Sequence, residues 1–95
     1  MAKKEIVRGK TKSGFEFEVK KAMLNNAEFL ELFAEVQNGD SMKVFGLVEL
    51  ALGKEQKARL YDHIRDEDGI VPVDVLSTEA AEIFEALGSD NEVKN

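Results

Sequence analysis

The groups that could do acid–base or nucleophilic chemistry in this 95-residue chain are few: one histidine, four serines, many carboxylates and no cysteine. A Ser–His–Asp arrangement needs three groups converging in one pocket. Ser13, Ser41, Ser77 and Ser89 all stand where turns or helix caps account for them. His63 falls near the end of a helical segment, off the centre of the Leu60/Ile64 stripe, where a partial positive charge suits the helix dipole. It reads as a structural or exposed residue. A single histidine cannot build a multi-histidine metal site, and a chain without cysteine has no thiolate for metal or redox work.

The carboxylates offer two patterns. Asp66-Glu67-Asp68-Gly69 looks like the middle of a calcium loop, but its register fails. With Gly69 as the sixth loop position, the first is Ile64 and the twelfth is Val75, where calcium needs an acidic ligand and a bidentate Glu. The segment reads as an acidic turn after a helix. Glu79, Glu82 and Glu85 recur every third residue along one side of the last helical segment. They read either as a solvated face or as a contact surface for a basic partner, the protein's own basic hairpin included. Gly9 and Gly14 fit no phosphate-binding pattern. The expectation is therefore no catalytic, cofactor-binding or metal-binding residue, no cofactor, and a chain that is not an enzyme.

What remains is an apolar surplus. Val44, Phe45, Leu47, Val48, Leu50, Ala51 and Leu52 leave one helix with almost no polar face. Such a helix is the centre of a core, or it keeps part of its surface for a partner or a second copy. An apolar groove binds an amphipathic helix through anchors at i, i+3, i+4 and i+7. On that reading the partner-binding residues are Phe29, Phe33, Val44, Phe45, Val48 and Leu52.

These residues need elements to hold them. Phe15-Glu16-Phe17-Glu18-Val19 alternates strictly, and a Gly-flanked turn at 9–14 joins it to a shorter β-branched run. This predicts a β-hairpin over 4–19 whose Phe15/Phe17/Val19 face packs on helices, since two strands alone are marginal in water. A short helical turn over 20–25 follows, and Asn26 is placed to cap the next helix. Helices are predicted over about 27–37, 41–52, 54–65 and 73–87. In the first, Phe29, Leu32, Phe33 and Val36 face inward while Glu28, Glu31 and Glu35 face away. Asp40 or Ser41 caps the second, and Gly53 closes it. In the next, Ala58, Leu60, Tyr61 and Ile64 point inward, and Glu55 and Arg59 pair at i,i+4. The last carries a stripe of Val73, Leu76, Ala80, Ile83, Phe84 and Leu87, starts behind Pro72 and stops at Gly88. The fold class is α+β, mainly α: an N-terminal β-hairpin packed on a small bundle of four or five helices. Residues 1–88 form one domain and 89–95 a disordered tail.

Composition agrees. The length argues for one domain with a small core. A hydrophobic fraction of 43% is enough to fold. No 18-residue apolar run exists for a membrane span, and the first residues lack a signal peptide's apolar stretch, so a cytoplasmic location is expected. The formal charge of −6 is uneven: residues 1–21 carry a net of +4 and residues 22–95 a net of −10. A basic arm for nucleic acid is one reading. A solvated hairpin beside an acidic body is the preferred one, because that body repels a phosphate backbone.

Two stretches together carry a resemblance. One is Ser13-Gly14-Phe15-Glu16-Phe17-Glu18-Val19, followed by Glu28-Phe29-Leu30-Glu31-Leu32. The other runs from Leu60-Tyr61-Asp62-His63-Ile64 through Arg65-Asp66-Glu67-Asp68-Gly69-Ile70-Val71-Pro72-Val73 to Ala81-Glu82-Ile83-Phe84-Glu85-Ala86-Leu87-Gly88. The chain resembles, over 11–88, the small tail assembly chaperones of long-tailed bacteriophages of Gram-positive hosts. The resemblance implies a non-enzymatic protein of the host bacterial cytoplasm. It would bind apolar helical segments of the tape measure protein, keep them soluble until the tail tube polymerises, and then leave. The major tail protein is a further implied partner; nucleic acid and membrane are not. The alternative is a small acidic phage or host regulatory protein that binds one folded partner.

Overall fold

The computed structural model describes residues 5–93. Strands β1 (Ile6–Lys10) and β2 (Glu16–Lys20) form an antiparallel hairpin. A 3-10 turn, Lys21–Asn25, leads into helix α1 (Ala27–Gln37). A second 3-10 turn, Ser41–Lys43, leads into α2 (Val44–Ile64), and a loop leads to α3 (Val73–Val93). The class is α+β and mainly helical, as expected.

The hairpin forms where period-two alternation demanded it. Val7 pairs with Val19 and Gly9 with Phe17, while Arg8 and Lys10 sit opposite Glu18 and Glu16. The inward set of Val7, Phe15, Phe17 and Val19 is buried. The Phe17 ring lies over Gly9, where a Cβ would come within 2.8 Å of Cζ, so only glycine leaves room for it. Helix α2 packs along β2 and α3 along β1. This cover supplies the apolar partner that two strands need.

Helix α1 begins as predicted: the Asn26 side chain accepts from the Glu28 N–H at 2.9 Å. Its Phe29 is fully buried, and Phe29, Phe33 and Phe84 form an edge-to-face cluster that ties α1 to α3. The core is completed by Leu47, Val48, Ala51, Leu52 and Leu60 of α2 and by Leu76, Ala80, Ile83 and Leu87 of α3. Each fully buried side chain of this size stabilises the fold by about 1.5–3 kcal/mol.

Several expectations change. There are three α-helices among the described residues, not four or five. The predicted helices over 41–52 and 54–65 run on from one another as α2, and the backbone leaves the helical region between them at Gly53 (φ 84°, ψ 164°), where the first was expected to close. Side-chain bridges hold its halves together: Gln56 Nε2 donates to the Leu52 carbonyl, and Lys57 reaches back to Glu49. Neither Asp40 nor Ser41 caps α2. Asp40 makes no side-chain cap bond, and the 3-10 turn absorbs the start. Glycine at position 88 does not stop α3, which runs on to Val93 through part of the predicted tail. A mid-helix glycine costs about 1 kcal/mol, which neighbouring turns can offset. Residues 94–95 and the first residue of the predicted hairpin, Lys4, lie outside the described residues. Ala58 and Val73 are exposed rather than inward. Arg59 forms no ion pair with Glu55; its guanidinium stands 5.6 Å from the Phe15 ring centroid.

Candidate functional site

The six apolar residues singled out in the sequence do not form an open surface. Phe29, Val44, Val48 and Leu52 are core, each at most 6% exposed. Phe33 and Phe45 are half-buried against the same core. The helix that reads as apolar all round is consumed by packing against the hairpin, α1 and α3.

An open groove lies beside them, between α1 and α2. It measures about 590 Å³ and is lined by Glu28, Glu31 and Leu32 of α1 and by Gly46, Glu49 and Leu50 of α2. Leu32 and Leu50 give it an apolar floor, and the three glutamates a negative rim. Gly46 adds no side chain to it, and a Cβ there would meet Leu32 Cδ1 at 3.9 Å, an ordinary contact. Gly46, which with Glu49 interrupts the apolar run 44–52, was the available signal for the groove.

The rim carboxylates differ. Glu49 accepts from Lys57 Nζ at 2.9 Å, across the Gly53 break. That hydrogen bond holds its carboxyl below the usual range. The same bond raises the Lys57 ammonium, against a smaller opposing effect of burial. Glu28 and Glu31 make no ion pair among the described residues. Their charge is available to a bound partner.

A second cluster is the one place where a serine, the histidine and a carboxylate meet. Ser13 Oγ lies 2.8 Å from Glu79 Oε2 and 2.9 Å from His63 Nε2, with Thr11 Oγ1 at 3.2 Å. The order differs from a hydrolase triad, because the hydroxyl stands in the middle. A serine has one proton. With the Ser13 hydroxyl donating to Glu79 Oε2, Ser13 Oγ is left to accept, so His63 Nε2 and the Thr11 hydroxyl meet it as donors. In this network His63 is a donor to the serine and not its base. The cluster anchors the hairpin turn to both helices. The Lys12 N–H adds a bond to Glu82 at 2.8 Å.

The acidic stripe on α3 is therefore not a solvated face. Glu79 is 3% exposed and Glu82 is half-buried; Glu85 alone is exposed. What meets the stripe is the turn's backbone and Ser13, not the basic side chains of the hairpin. Asp66 is exposed, and its Oδ1 closes the turn by accepting from the N–H groups of Asp68 and Ile70. Among the described residues no group of three or more His, Asp or Glu is placed to hold a metal ion, and no helix is long and apolar enough to cross a membrane. Comparison with protein families, with curated proteins and with solved structures returns no match to this chain.

Proposed function

We propose that this chain is a tail assembly chaperone of a long-tailed bacteriophage, acting in the host cytoplasm and not as an enzyme. On this reading it holds apolar helical segments of the tape measure protein in solution until the tail tube forms around them. The sequence resemblance over 11–88 supports the reading. The observation that carries it is the α1–α2 groove, with Leu32 and Leu50 as floor and Glu28, Glu31 and Glu49 as rim.

A helix with apolar residues on one stripe would lay that stripe on the floor. Lysines or arginines flanking the stripe would meet Glu28 and Glu31. A shallow acidic-rimmed site suits a chaperone that must release its client. Little apolar area is buried, and exposed ion pairs contribute only about 0.2–1 kcal/mol each. The remaining acidic surface would keep the complex dispersed.

The test is co-expression with the tape measure protein of a long-tailed phage that carries this chain. The tape measure protein moves to the soluble fraction with this chain and stays insoluble without it. Equal insolubility in both cases defeats the proposal. Leu50→Lys, which puts a charge on the groove floor, abolishes the effect while the chain itself stays folded.

A further inference from the structure

The uneven charge of the sequence becomes two separate places in the fold. The hairpin and the turn of α2 beyond Gly53 enclose a cleft of about 1080 Å³, where Arg8, Lys10, Lys54 and Arg59 surround Phe17 and Leu52. Three carboxylates share it. Glu18 is held by Arg8 at 3.0 Å and Glu16 by Lys10 at 4.0 Å, which leaves Glu55. Lys54 and Arg59 make no ion pair among the described residues. In a chain of net charge −6 this cleft is locally positive.

The opposite character gathers in the turn after α2. The Asp66 N–H donates to the Ile70 carbonyl at 2.8 Å, and Arg65 Nη1 donates to the Gly69 carbonyl at 3.1 Å. With the two bonds to Asp66 Oδ1, these make a closed, rigid turn. Its product is an apolar side chain held in water: Ile70 is 58% exposed, and Val73 just beyond is 50% exposed. Glu67 and Asp68 at its tip make no ion pair among the described residues. Ordering a loop to present an apolar residue has no packing benefit within one chain.

We infer that the cleft of one copy receives this turn from another copy. Glu67 and Asp68 meet Lys54 and Arg59, and Ile70 lies along the aliphatic stems of the basic residues, above the buried Phe17 and Leu52. About 15 Å of helix separates Lys54 from Ile64 and about 8 Å separates Arg59 from it, and within one chain neither pairs with Glu67 or Asp68. The contact is heterologous: each copy gives a turn to one neighbour and a cleft to the next. Contacts of this kind build rings or filaments. The surfaces are distinct from the α1–α2 groove, so this association stands or falls independently of the chaperone proposal.

Sedimentation equilibrium of the full chain at low salt tests it. The mean mass rises with concentration and falls as salt is added. Lys54→Glu/Arg59→Glu and Glu67→Lys/Asp68→Lys each weaken self-association by about tenfold or more. An equimolar mixture of the two variants regains it, because the reversed turn fits the reversed cleft. Ile70→Ser, a change at an exposed side chain, gives a similar loss and guards against a reversal that unfolds the chain. A wild-type chain that stays monomeric to its solubility limit overturns the inference and leaves the turn to a different protein. A mixture no more associated than its components also overturns it.

Discussion

Ser13 Oγ and Glu79 Oε2 stand 2.8 Å apart although 66 residues separate them in the chain. This bond joins the tip of the hairpin to the middle of α3. It also gives the buried Glu79 carboxyl its one partner, since Oε1 has none among the described residues.

Ser13→Ala therefore leaves a buried carboxyl with neither oxygen satisfied. The expected loss is about 1–3 kcal/mol of unfolding free energy by urea titration. Adding Glu79→Leu removes the stranded group and regains most of that loss. A double variant no more stable than Ser13→Ala would show that the pair does not carry the energy.

Gly46 separates two effects that other positions mix. Gly46→Ala places a methyl at ordinary contact distance from Leu32 and raises helix stability by about 0.5–1 kcal/mol. Gly46→Phe fills the groove. It should abolish solubilisation of the tape measure protein while thermal unfolding remains cooperative.

At Gly53 the backbone, not space, is the constraint. A Cβ there meets nothing within 4 Å, but φ is 84°. Gly53→Ala should lower stability by about 1–2 kcal/mol, measured by denaturant midpoint. No loss at all would mean that α2 straightens freely through this residue.

The Glu49–Lys57 bridge predicts a pH dependence with two limbs. The carboxyl of Glu49 is lowered from 4.5 by its hydrogen bond with Lys57, so its contribution is complete above that value and vanishes as pH falls through the lower folded-state value. Lys57 is raised from 10.5, so its contribution is complete below that value and is lost as pH rises through the higher one. Glu49→Gln should therefore differ from wild type near neutral pH and converge with it in acid. Melting curves taken from acid to neutral pH check this, and parallel curves across the range would contradict it.

Local patterns in the chain determined a good part of the fold. Period-two alternation at Phe15, Phe17 and Val19 determined the hairpin and its buried face. Spacing at Phe29, Leu32, Phe33 and Val36 determined α1, and Asn26 its cap. These are legible because strand and helix each repeat side-chain direction over a few residues. The acid turn at 66–69 was legible too, and so was its failure to match a calcium loop.

The candidate site was not legible in the same way. Phe29, Val44, Val48 and Leu52 were named as a surface because hydrophobicity states that a side chain will be covered, and not by what. Tertiary packing covered them and opened the groove on a neighbouring face of the same helices, at Leu32, Gly46 and Leu50. Glu79 shows the converse. It lies three residues from Leu76 and four from Ile83, on the buried stripe of α3, but its charge made it read as solvated. A carboxylate is buried only where a donor meets it, and here the donor is Ser13, brought from the far end of the chain. Sequence alone determined which residues share a face; the tertiary structure decided what each face meets, because that depends on contacts between residues that no local spacing relates.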